Sequence, residues 1–128
     1  AGFDLKEMVK HKLGESNILL TDLSPYKIAG DDYPDSARLL AQSLKKPDIG
    51  FAFCGTGQGI CIALNRYSNV RAITTFNPSI LQISREHNDA NVLCLPGRFL
   101  KVNDALDLAL KFIQTDFSGE TRHIKKIS

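Results

Sequence analysis

The chain has 128 residues, 43% of them hydrophobic, which predicts a single domain with one buried core and excludes two ordinary domains. Its 16 basic and 14 acidic residues give a net charge of +2, too balanced to indicate a nucleic-acid-binding protein. No apolar stretch approaches the about 20 residues of a membrane-spanning helix, and no charged-then-apolar leader opens the chain, so we expect a cytosolic protein with no membrane partner.

Three cysteines occur, at positions 54, 61 and 94. Their odd number and the lack of a Cys-x-x-Cys pair indicate neither a disulfide framework nor a zinc site. We therefore expect reduced thiols, as is usual in the cytosol, with Cys61 and Cys94 in the core.

Hydrophobic spacing predicts helices and strands that alternate along the chain. The predicted helices cover residues 3–13, 35 or 36 to 44, 58–66, 79–87 with Pro78 in the first turn, and 102–115. The predicted strands cover residues 17–23, 49–53, 70–75 and 90–95, with a turn-rich loop over 24–32 and a basic tail over 117–128. This order predicts an α/β fold with a parallel sheet, covered by helices on both faces and joined by right-handed crossovers.

Ligands of such folds collect at the carboxyl ends of the strands. That rule places three loops on one edge of the sheet: the loop after Cys54, the loop 75–78 and the loop 96–98. We also expect the side chains of Glu86 to Asp89 to turn toward this edge.

Phe51 to Ile60 is the most informative segment, because an apolar run there delivers Cys54 onto a glycine-rich turn. Glycines at 55, 57 and 59 allow positive φ and close backbone approach, so that consecutive N–H groups can converge on an anion. The same field favours a thiolate, which makes Cys54 a candidate base or nucleophile. The alternative is that Cys54 is a small buried hydrophobic residue. The turn matches neither the P-loop nor the dinucleotide-binding pattern.

His87 is a candidate general acid or base, since imidazole can donate or accept a proton at neutral pH. The alternative is a favourable position at a helix C-terminus, with Asn88 as a left-handed cap. His11 and His123 lie among polar residues and are interpreted as solvated or anion-contacting.

Three cations are candidates for a phosphate site: Arg98, Arg122 and Lys126. Arg122 and Lys126 share one face if the tail is helical, although an ordinary solvated basic tail is the alternative. Tyr33 either belongs to a simple turn and helix start or lines a pocket with its hydroxyl.

Six segments in order resemble the type B ribose-5-phosphate isomerases over nearly the whole chain, residues 1–128. They are Ala1-Gly-Phe-Asp-Leu-Lys6, Asp32-Tyr-Pro34, Cys54-Gly-Thr-Gly-Gln-Gly59, Arg85-Glu-His-Asn-Asp-Ala-Asn-Val-Leu93, Gly97-Arg98 and Arg122-His123. The wider family includes the galactose-6-phosphate isomerase subunits. The resemblance implies a Rossmann-like αβα sandwich, a homodimer or dimer of dimers with shared active sites, and no metal or organic cofactor.

The resemblance also implies roles in the interconversion of ribose 5-phosphate and ribulose 5-phosphate. Cys54 would be the base that moves the proton between C1 and C2, Thr56 would assist the relay, and His87 would open the furanose ring. The remaining implied substrate contacts are Gly55, Gly57, Gln58 and Gly59 through their amides, Asn88 through the sugar hydroxyls, Tyr33, and the phosphate-binding Arg98, Arg122 and Lys126.

Three departures from the family pattern keep alternatives open. Relatives normally begin with a strand ending in Asp-His before Ala-Gly-Phe, so the first strand is expected to be missing here. If the polypeptide is really this short, we expect weak or no activity. Lys126 stands where Arg is usual, which keeps the charge but loses the paired geometry. Ile60 occupies the place of the loop carboxylate that some relatives use as base. Galactose-6-phosphate isomerisation and an inactive sugar-phosphate-binding subunit remain the competing hypotheses.

Overall fold

The computed structural model describes residues 2–24 and 33–128. In this part of the chain the helices are α1 Phe3–Glu15, α2 Tyr33–Ser43, α3 Gln58–Leu64, α4 Pro78–Asn88, α5 Val102–Gln114 and α6 Thr121–Ile127. The strands are β1 Gly50–Cys54, β2 Ala72–Ile73 and β3 Val92–Pro96. The basic tail thus contains a helix, which the sequence analysis left open.

The three strands form one parallel sheet in the order β1-β3-β2. Strand β3 lies in the middle, and its register with β1 runs from Gly50 opposite Val92 to Cys54 opposite Pro96. Each strand is followed by a helix, so every parallel connection crosses over through a helix. The expected α/β class with a parallel sheet is confirmed.

Helices cover both faces of the sheet because β3 is apolar on both sides. Leu93 and Leu95 point into one core, formed mainly with α1 and α5, whereas Val92 and Cys94 point into the other, formed mainly with α2 and α3. All five residues of β3 are buried, as expected of a central parallel strand. The molecule therefore has three layers, helices, sheet and helices.

A strand over residues 17–23 was expected and is wrong. Residues 18–22 alternate in exposure, with Ile18 and Leu20 against the first core and Leu19 98% exposed, yet they adopt no regular structure. The alternation reproduces the period of a strand, but a strand also needs a neighbour for its hydrogen bonds. The predicted loop 24–32 lies, apart from Ser24, outside the described residues.

Ion pairs attach residues 22–24 to α1. Asp22 Oδ2 lies 2.9 Å from Lys10 Nζ, and its Oδ1 lies 3.1 Å from Lys6 Nζ. Burial by itself would raise the pKa of Asp22, but the hydrogen bonds from Lys10, the Ser24 amide and Lys6 outweigh it and lower the pKa to about 2.

Arg85 connects α4 to the end of α5 from inside the protein. The residue is 8% exposed, its Nε donates to the carbonyls of Phe112 and Thr115 at 3.2 and 2.8 Å, and its Nη1 donates to Ala90 O at 2.5 Å. The guanidinium also lies over the Phe112 ring. Burial is the main reason that the pKa of Arg85 is lowered.

None of the helices in residues 2–24 and 33–128 has both the length and the apolar composition required to span a bilayer.

Candidate active site

Cys54 lies at the carboxyl end of β1 and opens the glycine loop, residues 55–59. Its Sγ accepts a hydrogen bond from the Gly57 amide at 3.2 Å, and the thiol is free and half-buried. Gly57 has φ +78°, a left-handed conformation that an L side chain rarely adopts. The Gln58 amide donates to Thr56 Oγ1 at 3.2 Å. The loop is therefore a tight turn with a reachable sulfur at its mouth.

Side chains from three other segments surround the glycine loop. A Cβ atom on Gly55 would lie 3.1 Å from the Arg98 guanidinium, and one on Gly59 would lie 2.9 Å from the Tyr33 ring. A Cβ on Gly57 would lie 3.1 Å from Thr74 Oγ1. Arg98 is held there because Gly97 N donates to Cys54 O at 2.7 Å and Arg98 N donates to Gly55 O at 3.1 Å. These three side chains occupy the space that a Cβ atom at position 55, 57 or 59 would need, so a larger residue there would have to displace them.

The N-terminus of α1 lies directly against Cys54. A Cβ atom on Gly2 would lie 2.6 Å from the Phe53 carbonyl carbon and 2.7 Å from the Cys54 nitrogen. The 13-residue helix α1 begins at Phe3, so its N-terminus lies beside the backbone of Cys54, whereas the Cys54 side chain packs against the core on the other face of the sheet. The sequence analysis missed this contact, since nothing in the pattern around Gly2 marks a close approach to β1.

His87 does not lie on the edge of the sheet that carries Cys54. Helix α4 starts after the carboxyl end of β2, runs back along the sheet for about 16 Å, and ends just before β3 begins at Val92. His87 therefore lies near the amino ends of the strands, whereas Cys54 lies at the carboxyl end of β1. The expectation that residues 86–89 turn toward the edge carrying Cys54 is wrong, because an α4 of this length spans the sheet. The left-handed cap is Asp89, with φ 48°, and not Asn88, which is exposed and helical.

His123 is buried, which corrects its interpretation as solvated. It is 2% exposed, and its ring stacks on His87 with 4.1 Å between ring centroids and 23° between ring planes. Its Nδ1 lies 2.6 Å from Ser118 Oγ. Burial, followed by the nearby charges of His87 and Arg122, lowers the pKa of His123. The basic run had suggested a solvated tail, and the apolar Ile124 and Ile127 were the only sequence hint of a packed helix.

Arg122 and Lys126 are exposed and one helical turn apart on α6, which brings them to the same end of the molecule as His87. Arg122 Nη2 pairs with Glu120 at 3.3 Å. The predicted site residues therefore form two groups. One consists of Cys54, Thr56, the loop glycines, Gln58, Tyr33 and Arg98, and the other of His87, Asn88, Arg122 and Lys126, with His123 added by the structure. Thr74, which contacts the first group, was also missed.

Comparison with known proteins identifies the family. The Ribose/Galactose Isomerase family matches residues 1–128. A probable ribose-5-phosphate isomerase B of Mycoplasma pneumoniae is 36% identical, over 98% of this chain and 84% of its own. A ribose 5-phosphate isomerase structure from Thermotoga maritima superposes with TM-score 0.92 at 40% identity, covering 99% of this chain and 88% of that one. The Mycoplasma genitalium enzyme, solved with bound ribulose-5-phosphate, superposes with TM-score 0.87 at 36% identity, covering 97% and 84%. The resemblance seen in the sequence is confirmed, and the chain belongs to the ribose/galactose isomerase family of sugar-phosphate isomerases.

Proposed function

We propose that this chain interconverts ribose 5-phosphate and ribulose 5-phosphate through an enediolate, with Cys54 as the base. The observation that carries the proposal is the half-buried Cys54 sulfur, which accepts the Gly57 amide at 3.2 Å at the mouth of the glycine loop. The Gly57 amide N–H is aimed at the sulfur, and the thiolate is the form of cysteine that can accept a proton from carbon.

The proton transfer uses the loop as follows. In the open-chain aldose the Cys54 thiolate takes the proton from C2, and the electron pair moves to the carbonyl oxygen O1 to give the enediolate. The thiol then returns the proton to C1, while the O2 proton passes to O1. Backbone donors of residues 55–59 are suited to the oxygen charge that develops in this step. Thr56 Oγ1 already accepts from Gln58 N, so its own hydroxyl proton is available for the relay between oxygens.

His87 is proposed as the acid that opens the furanose ring, acting in the site of a second copy of the chain. Within one chain His87 and Cys54 lie at opposite ends of the sheet, so a single copy does not bring base and acid onto one small sugar. The face of α4 supports pairing, since Ile80 and Ile83 are 55% and 48% exposed and Phe76, just before the helix, is 61% exposed. Apolar side chains grouped in this way are typical of a surface that another protein covers. We therefore propose a homodimer at minimum.

The sugar phosphate is proposed to bind Arg122 and Lys126 of the copy that supplies His87, with Arg98 beside the loop of the other copy. The i,i+4 spacing on α6 places both cations within one turn of each other. Arg122 offers paired donors to phosphate oxygens and Lys126 adds a point charge. Phosphate binding remote from C1 and C2 orients the reacting carbons. A cytoplasmic location is part of the proposal, since the three cysteines are free thiols.

The test is isomerisation of ribose 5-phosphate by the wild type and by Cys54→Ala. We expect the variant to lose turnover at least about 10³-fold while its thermal unfolding is nearly unchanged. The matched control is Cys61→Ala, a buried thiol outside the site, which should remain active. Turnover of Cys54→Ala close to the wild-type value would exclude Cys54 as the base. Galactose 6-phosphate assayed in parallel distinguishes the five-carbon from the six-carbon substrate.

Pairing of the two groups of residues is tested by mixing variants. Cys54→Ala and His87→Asn are each expected to be inactive on the cyclic aldose. When they are unfolded and refolded together, mixed dimers contain one site with both native residues, and activity should return. If no activity returns although mixed dimers form, base and acid do not come from different copies.

A further inference from the structure

The ring of His123 is the feature of the second group of residues that the proposed reaction leaves without a role. It is a buried polar side chain whose ring stacks on His87 at 4.1 Å between centroids. A histidine that only filled space would need neither a second imidazole against its face nor a fixed partner for its nitrogen. Here both are present, because Ser118 Oγ lies 2.6 Å from Nδ1.

The segment before α6 is itself fixed to α4. Ser118 N donates to Glu86 O at 2.9 Å, so the residue that holds His123 is hydrogen-bonded to the turn of α4 that carries His87. His123 N also donates to Glu120 O at 2.9 Å in the first turn of α6. The two imidazoles are therefore joined through their rings and through the backbone of their neighbours, and the plane of His87 is defined from one side by His123.

Several titratable and charged groups face the His123 ring. Facing His123 are His87 from α4, Glu120 from the start of α6, and Arg122 and Lys126 from α6 itself. Glu120 Oε2 lies 3.3 Å from Nδ1 and is exposed, whereas Arg122 and Lys126 oppose a positive charge. Burial comes first among the causes that lower the pKa of His123, which favours the neutral form of this ring.

We propose that His123 is a positioning residue for ring opening: its planar ring, held by Ser118, fixes the orientation of the His87 imidazole toward the ring oxygen of the cyclic aldose phosphate. The proposal rests on the proposed function and deepens it. No bond to His123 forms or breaks, and the proton that reaches the sugar ring oxygen comes from His87. His123 therefore matters only for the step that needs an acid placed at that oxygen.

This restriction gives a direction-dependent test. Ribose 5-phosphate is largely a furanose and must be opened, whereas ribulose 5-phosphate carries its phosphate on O5 and cannot close to a furanose. Loss of positioning should slow the aldose-to-ketose direction and spare the ketose-to-aldose direction. The initial kcat of both directions is measured for His123→Phe and His123→Leu, two apolar replacements that both lose the Ser118 hydrogen bond. Only phenylalanine retains a flat ring against His87.

We expect His123→Leu to lower the aldose-direction kcat about tenfold, a part of the 10²–10⁴-fold that general acid catalysis contributes. His123→Phe should lower that kcat only about threefold, because it keeps the flat ring but loses the Ser118 hydrogen bond. Both variants should retain the ketose-direction kcat within about threefold. The exposed His11, as His11→Asn, is the matched control and should change neither direction. Equal aldose-direction rates in folded Phe and Leu variants, or equal losses in both directions, overturn the proposal.

Ser118→Ala covers the case in which His123→Leu does not fold. It leaves both imidazoles in place and removes only the 2.6 Å partner of Nδ1. We expect the ratio of aldose-direction to ketose-direction kcat to fall about threefold, and an unchanged ratio overturns the proposal.

His87→Asn separates a failure of the role proposed for His87 from a failure of the role proposed for His123. If it does not slow the aldose direction, the proposed role of His87 is wrong and that of His123 falls with it. If it does, and the Phe and Leu variants are alike, only the role of His123 is wrong.

Discussion

Gly57→Ala tests whether the glycine loop acts through its backbone. The new Cβ would sit on a residue with φ +78°, 3.1 Å from Thr74 Oγ1 and 3.4 Å from backbone atoms of Leu95 and Pro96. The left-handed conformation costs about 1–2 kcal/mol for a residue with a side chain. The 3.1 Å approach to Thr74 Oγ1 is tighter than an ordinary contact and adds about 1 kcal/mol, whereas 3.4 Å to the β3 backbone is a normal contact distance. We expect the free energy of unfolding to fall by about 2–3 kcal/mol.

The same substitution should affect catalysis more strongly than stability. If the loop relaxes φ toward negative values, the Gly57 N–H no longer points at Cys54 Sγ and the amides behind it rotate as well. Removal of one donor of this kind lowers kcat by about 10²–10³ in other enzymes. The assay is initial-rate conversion of ribose 5-phosphate to ribulose 5-phosphate, run beside urea unfolding of the same preparations.

Two further glycines provide matched controls. Gly119 also has positive φ, +71°, but among residues 2–24 and 33–128 no atom beyond its chain neighbours lies within 4 Å of its would-be Cβ, so Gly119→Ala should show the backbone cost alone, about 1–2 kcal/mol. Gly14, in α1, has neither constraint, and Gly14→Ala should be stabilising by about 0.5–1 kcal/mol with unchanged kcat. The reasoning is refuted if Gly57→Ala destabilises no more than Gly119→Ala and keeps kcat within threefold of the wild type.

Three other changes test contacts described above. Arg85→Lys should lower the free energy of unfolding by about 2–3 kcal/mol, because a lysine cannot reach the three carbonyls that the buried guanidinium satisfies; a urea midpoint equal to that of the wild type would contradict this. The carboxylate of Asp22 stabilises the fold fully above its unfolded pKa near 3.8, and this contribution disappears as the pH falls toward its folded value of about 2. Unfolding free energies at pH 6 and pH 2.5 should therefore show an acid loss that is about 1–2 kcal/mol smaller in Asp22→Asn, and equal losses would exclude the ion pair as the cause. Gly2→Ala should shift α1 away from β1, because its Cβ would lie 2.6 Å from Phe53. We expect the free energy of unfolding, measured by thermal unfolding, to fall by about 1–3 kcal/mol and kcat to fall as well. A wild-type unfolding free energy together with a wild-type kcat would show that α1 does not need to lie against Cys54.

The parts of the fold that sequence patterns predicted are those in which local chemistry and tertiary packing agree. The helix starting at Pro78 has an Asn77 cap whose side chain accepts from the amides of residues 79 and 80, and proline fits its first turn. Strand β3 was predicted over residues 90–95, and its five residues are all buried, as is typical of a central parallel strand.

The wrong predictions share one cause: each concerns a feature that depends on contacts with residues far away in the sequence. Residues 17–23 have the composition of a strand, yet Leu19 is almost fully exposed and residues 18–22 adopt no regular structure. His123 lies in a run of charged residues, and only the fold shows that its ring turns inward against His87. The predicted position of His87 was also wrong, because the length and direction of a helix decide at which end of the sheet the helix ends. Motif spacing carries no such information.

The glycine loop contributes backbone peptide groups to the candidate site, and this limits which residues can change substrate specificity. Amide donors of the glycine loop have no side chain to exchange, so their chemistry is the same whatever sugar is bound. The side chains of Tyr33 and Thr74 lie around the loop and can vary in size, whereas the charge of Arg98 suits the phosphate that all these sugars share. We expect divergence toward longer or shorter phosphorylated sugars to proceed at Tyr33 and Thr74, while the glycine loop stays unchanged.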